Sequence, residues 1–235
     1  MNPGSRNVAN QEETHVAKER LIYQASVGHW DEAVTPSGFP RRHWRQLAVA
    51  IGRMGFQQLT RRWQTGQHLI QANGVTYNVY GDPQGKERPW SLDPIPLVMD
   101  PAEWVKLEQA VAQRATLLNQ ILADVYGPQR LIHERHLPAA LLYSNPHFLR
   151  SCFGIRPRGD VHLHHYAVDL ARSPDGTWWA ISDRTQAPSG VGYALENRLV
   201  SARTLSSAFN QSHVLPLNPF LDQFRDGLQI GRAHV

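Results

Sequence analysis

Asp169, Ser182 and Arg184 stand on either side of a turn sequence, Ser173-Pro174-Asp175-Gly176, in a chain of 235 residues. A carboxylate can hold a hard cation, and a guanidinium can hold an anionic oxygen. Whether these groups share a face depends on the local structure. The run Val161–Ala171 alternates apolar and polar residues, and Thr177–Arg184 carries Trp178, Trp179 and Ile181. Both read as strands. Proline at the second turn position and glycine at the fourth suit a type I turn, so the two runs form a hairpin. With Arg172 opposite Thr177, Asp169 falls opposite Ala180. Alternation then places Asp169, Ser182 and Arg184 on one face and Val168, Leu170, Ile181 and Asp183 on the other, which reads mostly as core.

The hairpin leads into Ala187-Pro188-Ser189-Gly190-Val191-Gly192 and then a helical run from Tyr193. Backbone N–H groups at a glycine-rich helix start can cradle an anion, and Asn197 and Arg198 follow. The other reading is a tight turn, with Arg198 paired to a carboxylate. The anion site is preferred. Arg150 stands after Phe148-Leu149 and fits either a phosphate or carboxylate contact or a surface ion pair. His162 and His164 share a face if their run is a strand, but nothing else supplies the spacing of a zinc site. Cys152 lies in an apolar run and reads as a packed thiol.

The elements that must carry these groups are helices and short strands. Trp44, Leu47, Ala48 and Ile51 recur at helical spacing up to Gly52 or Gly55. Phe56, Leu59, Trp63 and Ile70 continue the pattern to Asn73-Gly74, a helix stop. Val75–Tyr80 alternates as a strand, and a Gly- and Pro-rich loop runs on through Pro96. That loop is either a ligand-facing segment or a polyproline-like wrap anchored by Trp90. Asp100-Pro101-Ala102-Glu103 opens the clearest helix, with Trp104, Leu107, Val111, Leu118, Ile121, Leu122 and Val125 as its core stripe. Leu137–Tyr143 and Pro146–Phe153 read as short helices, Asn145 capping the second. Pro219–Leu228 reads as a helix with Phe220, Leu221, Phe224 and Leu228 on one side.

Apolar residues make up 41% of the chain, charged residues 19%, and the formal net charge is +4. The composition is that of a globular protein, and the modest scattered positive charge gives no argument for nucleic acid. The single cysteine excludes an internal disulfide and fits a reducing cytoplasm. No membrane-length apolar run and no leader pattern are visible, so a cytoplasmic protein without a membrane partner is expected.

Specific words follow in order: Gly74-Val75-Thr76-Tyr77-Asn78-Val79-Tyr80-Gly81-Asp82, Glu87-Arg88-Pro89-Trp90, Leu92-Asp93-Pro94-Ile95-Pro96, Glu103-Trp104, Gln113-Arg114, Ala123-Asp124-Val125-Tyr126-Gly127, Phe148-Leu149-Arg150, Pro188-Ser189-Gly190 and Leu195-Glu196-Asn197-Arg198. Over roughly Trp30 to Phe209 this order resembles the circularly permuted ATP-grasp family of bacterial predicted carboxylate–amine ligases, related to glutathionylspermidine synthase. The resemblance implies a mixed α/β (α+β) fold, permuted ATP-grasp-like and incomplete, with a helical N-terminal region. It implies ATP and magnesium as cofactors, and small-molecule or peptide carboxylate and amine substrates. Asp169 would be a metal ligand, while Arg150, Ser189, Gly190, Asn197 and Arg198 would hold nucleotide or substrate. Catalytic residues are left unassigned.

One departure stands out. The family's triplet Glu-Asp-Asn is here Ser182-Asp183-Arg184. Serine is a poor magnesium ligand, and arginine stays protonated and cannot ligate. An Arg184–Asp169 ion pair would occupy the place of the metal. Two functions are therefore expected in turn. The first is a fragment of an ATP-dependent ligase that forms a peptide-like bond through an acyl-phosphate and is inactive without the missing C-terminal half. The alternative is a catalytically retired nucleotide- or peptide-binding module in a larger assembly. The expected divisions are a disordered lead-in over 1–20, a helical segment over 21–74, the permuted ATP-grasp N-terminal part over 75–228, and a non-native tail over 230–235. The DNA string ATC GGA AGA GCA CAC GTC encodes Ile230–Val235 and resembles a common short-read sequencing adapter, so the true chain is expected to continue.

Overall fold

The computed structural model describes Tyr23, residues 25–78 and residues 87–229. The expected lead-in over 1–20, the end of the strand at Val79–Tyr80 and the tail over 230–235 lie outside these. Helix α1 spans Arg45–Ala72, with a break at Gly55 (φ 72°, ψ 163°). The apolar pattern is thus carried by two helical stretches, and Gly55, not Gly52, divides them. Asn73 caps the second stretch, and Gly74 follows at φ 66°. Strand β1 (Thr76–Asn78) pairs antiparallel with β2 (Glu87–Pro89), Tyr77 opposite Arg88. The expected loop therefore contains a strand. Pro89 is tolerated because a two-stranded sheet leaves each strand an unpaired edge.

Helix α2 (Pro101–Val125) starts at the expected proline, with Glu103 in its first turn. Its stripe is less buried than expected: Val125 is buried, whereas Trp104 is 40% exposed. Two short helices follow, α3 (Arg130–His133) and α4 (Ala139–Tyr143). The sequence did not announce α3. Asp124 builds it, accepting the Arg130 N–H at 2.9 Å and the Leu131 N–H at 3.0 Å. The expected helix over Pro146–Phe153 reduces to a 3-10 turn at Arg150–Cys152. Asn145 caps no helix; its Oδ1 accepts the His147 N–H at 2.9 Å, closing a local turn.

Strand β3 covers Ala167–Arg172 and β4 covers Trp178–Arg184, and they form the second two-stranded sheet. β3 starts later than expected. His162 and His164 precede it and share no strand face, and the His162 and Leu163 N–H groups donate to Asn119 Oδ1. The turn also closes differently. Ser173, not Arg172, stands opposite Thr177: its N–H donates to Thr177 O at 3.0 Å, and the Gly176 N–H donates to Ser173 O at 2.8 Å. Gly176 takes φ 88°, which lets a type I turn run into a one-residue bulge. The side of β4 expected as core is open, with Trp179 60% and Ile181 65% exposed.

Helix α5 (Val191–Thr204), helix α6 (Ser206–Gln211) and helix α7 (Asn218–Gln229) complete the described chain. The chain divides into two compact units. The first takes the described parts of Met1–Asp100, Arg172–Trp178 and Ser189–Leu217. The second takes Pro101–Ala171, Trp179–Pro188 and the described part of Asn218–Val235.

In the first unit, Leu47, Leu205 and Ala208 are buried together, covered by Trp44, Ile51, Met54, Leu59 and Val98. Helix α1 meets α5 at Gly66, where an added Cβ would lie 3.0 Å from Thr204 Cγ2 and 3.2 Å from Val200 Cγ1. Arg62 Nη1 donates to Thr204 O at 3.0 Å across the same contact. The hairpin tip is fastened there too. The Trp30 ring lies under the guanidinium carbons of Arg41 (3.9 Å) and Arg172 (4.4 Å), and Arg172 pairs with Glu32 at 2.9 Å. In the second unit, His165 lies against Phe224 of α7 at 4.8 Å between ring centres.

Candidate functional site

The hairpin stem, in the second unit, carries two carboxylates, and each is matched to an arginine. Asp169 on β3 accepts from Arg184 on β4: Nε lies 3.1 and 3.0 Å from the two carboxylate oxygens, and Nη2 lies 2.8 Å from Oδ2. This is the ion pair that the sequence anticipated. It raises the Arg184 pKa through the hydrogen bond and the nearby negative charge. Both partners stay open to solvent, at 45% and 55% side-chain exposure. Ser182 on the same strand is exposed.

Asp183 turns toward the other partners. Arg114 on α2 grips it with both prongs, Nε to Oδ1 and Nη2 to Oδ2, each 2.6 Å. The Tyr166 hydroxyl donates to Oδ1 at 2.6 Å. These donors favour the ionised carboxylate and push the Asp183 pKa down to about 2, the Arg114 bond contributing most. Burial, then the hydrogen bond to a carboxylate, push the Tyr166 phenol up to about 12. The hydrogen bond and charge of Asp183 raise the Arg114 pKa.

This donor set does not fit a divalent cation. Magnesium takes hard oxygen ligands in octahedral array, yet both Asp169 oxygens already accept from Arg184, and both Asp183 oxygens accept from Arg114. Among the described residues, no group of three or more His, Cys, Asp or Glu side chains could hold a metal ion.

The loop-to-helix junction belongs to the first unit. Ser189 is exposed, and Gly190 opens α5 at φ 113° with no side-chain cap. The three polar residues of the next word then divide their work. Glu196 Oε1 accepts the Asn73 side-chain amide at 2.6 Å. Asn197 Oδ1 accepts the Trp90 indole N–H at 2.7 Å, and Trp90 stacks on Tyr193 at 4.4 Å. The Tyr193 hydroxyl in turn donates to Thr76 O at 2.7 Å, which ties β1 to α5. Arg198 is half-buried, and among the described residues no hydrogen bond or ion pair engages it. Burial alone lowers its pKa, because desolvation disfavours the charged form.

The residues singled out from the sequence are thus divided. Asp169 and Arg150 lie in the second unit; Ser189, Gly190, Asn197 and Arg198 lie in the first. Arg150 makes no ion pair among the described residues; its guanidinium carbon sits 5.7 Å from the centre of the Tyr143 ring. The sequence reading missed the Arg114–Asp183–Tyr166 cluster. Part of its signal was present in the Gln113-Arg114 word.

A family profile described as circularly permuted ATP-grasp type 2 matches residues 96–233, which include the hairpin, the loop and α5. The chain belongs to the circularly permuted ATP-grasp type 2 family. Among its relatives, uncharacterized protein Rv2567 of Mycobacterium tuberculosis is 38% identical over 204 residues, covering 83% of this chain and 23% of that protein. Uncharacterized protein sll0335 of Synechocystis is 34% identical over 199 residues, or 85% of this chain and 41% of the relative. Uncharacterized protein Rv2411c of M. tuberculosis is 29% identical over 204 residues, with 87% and 36% coverage. The chain therefore spans less than half the length of these curated relatives. Several ATP-grasp words do mechanical work here: Asp124 caps α3, Tyr126 stacks on Phe148 at 5.1 Å, and Trp90 anchors β2 to α5. Among the described residues no helix is long and apolar enough to cross a membrane.

Proposed function

We propose that the whole protein binds ATP and joins a carboxylate to an amine through an acyl-phosphate, and that this chain is one part of that ligase. The observation that carries the proposal is the family match over residues 96–233. The chemistry is transfer of a phosphoryl group to the carboxylate, then displacement of phosphate by the amine. Positive groups offset the phosphate charge as it builds up. Arg198 supports this reading: a half-buried guanidinium without a partner among the described residues is costly, and an anion beside it would offset that cost. Ser189 and Gly190, at the uncapped start of α5, would supply backbone N–H groups to the same kind of ligand. Arg150, exposed and held among the described residues only by an aromatic face, remains available to a carboxylate or phosphate.

A second reading rests on the hairpin, where arginines answer both carboxylates. In it, the protein recognises nucleotide or peptide without catalysing a reaction. Calorimetric titration of ATP into the full-length protein, followed by an assay of ADP release with candidate acids and amines, separates the two. Release that requires both acid and amine supports the ligase. Binding without any release supports the binding module, and absence of ATP binding refutes the ligase and leaves only the peptide-recognising form of the second reading.

A further inference from the structure

We infer that Arg184, oriented by Asp169, acts as a built-in cation that receives an anionic phosphoryl oxygen of a nucleoside diphosphate or triphosphate without a divalent metal. This rests on the nucleotide-binding reading above. Asp169 holds the guanidinium side-on through Nε and Nη2. Nη1 has no partner among the described residues, and the side chain is 55% exposed, so the free edge of the fork is available to an incoming oxygen. A planar guanidinium presents donors in fixed directions, which suits phosphate oxygens. Asp169 is then a positioning residue, and its charge is balanced locally without a metal.

The neighbouring carboxylate is closed to a metal in the same way, since Asp183 is held by both prongs of Arg114 and by the Tyr166 hydroxyl. Ser182 adds one neutral oxygen where a metal site would need another carboxylate. Two arginines on two carboxylates leave no net charge, and with no third acidic group among the described residues the site does not gather a cation; what it offers a ligand is the free Nη1 edge of Arg184.

The test uses full-length protein and ADP as the probe, titrated in the calorimeter with excess chelator and with magnesium. Wild-type affinity should be the same in both, within about twofold. Arg184→Gln should weaken ADP about tenfold or more, the size of one charge-assisted hydrogen bond. The pair Ser182→Glu with Arg184→Asn should bind ADP tightly only when magnesium is present. It should also bind manganese, read by electron paramagnetic resonance, where the wild type does not. Arg184→Lys, which keeps the charge without the fork, should fall between wild type and Arg184→Gln. Wild-type ADP binding that depends on magnesium, or an Arg184→Gln variant that binds as well as wild type, would overturn the inference while leaving the nucleotide-binding reading standing. No ADP binding under either condition overturns both.

Discussion

Gly176→Ala tests how the hairpin tip is held. Gly176 takes φ 88°, and an added Cβ would lie 2.5 Å from Cζ3 and 2.8 Å from Cε3 and Cη2 of Trp30. Carbon atoms pack at about 3.5–4.0 Å, so the indole must retreat by about 1 Å. It is not free to do so, because Arg41 and Arg172 lie 3.9 and 4.4 Å from its centre. Each such cation–π contact is worth about 0.5–1 kcal/mol when partly exposed. The left-handed backbone adds about 1–2 kcal/mol for any residue with a Cβ. The total is about 2–4 kcal/mol. Gly28→Ala is the control: it has φ 79° and nothing within 4 Å of the added Cβ, so it carries the backbone cost alone. Thermal unfolding followed by tryptophan fluorescence should separate the two variants by about 1–2 kcal/mol, or about 2–8 °C in a chain of this size. Equal destabilisation would show that Trp30 does not press on the turn and would refute the packing argument.

Gly66→Val should destabilise the α1–α5 contact by about 1–3 kcal/mol, since Thr204 is held by its own hydroxyl bond to Val200 O and cannot yield; chemical denaturation would measure it. Gly66→Ala should cost less, because alanine's helix propensity returns about 1 kcal/mol. The Asp183 pKa is lowered, so its contribution is present above the ordinary carboxylate pKa and is lost as pH falls through about 2. Acid titrations of wild type and Asp183→Asn should therefore differ in melting temperature above about pH 4 and converge toward about pH 2; a constant gap would refute the pairing. Asn197→Ala should lower stability by about 0.5–1.5 kcal/mol through loss of the Trp90 bond, whereas Arg198→Ala should reduce ATP affinity of the full-length protein with little change in melting temperature.

The hairpin was legible because its signals are local: alternation, a Pro-Asp-Gly turn, and a change to helical spacing after Gly190. Asp169 and Arg184 could be anticipated as a pair from their types and their places on the two strands, and the structure joins them, although the register that put them on one face gives way at the turn. The break in α1 was legible too, since glycine at Gly52 or Gly55 weakens a helix, although the choice of Gly55 was not. The closure of the turn at Ser173 could not be read, because an Asp-Gly turn fits more than one loop length and the bulge depends on what Gly176 meets. Trp30 lies 146 positions earlier in the chain and meets it only after folding.

The sequence alone determined family, composition, the start of α2 and the substitution of Ser182 and Arg184 into the triplet, for these are properties of residue identity and near neighbours. Tertiary structure decided which polar residues are already spent. Asn197 goes to Trp90, Glu196 to Asn73, and Asp183 to Arg114 and Tyr166, while Arg198 has no partner among the described residues. Those partners are separated by 17 to 123 positions. A side chain's partner is set by packing across such distances in sequence, and a carboxylate is free to bind a ligand only if no folded neighbour has reached it first.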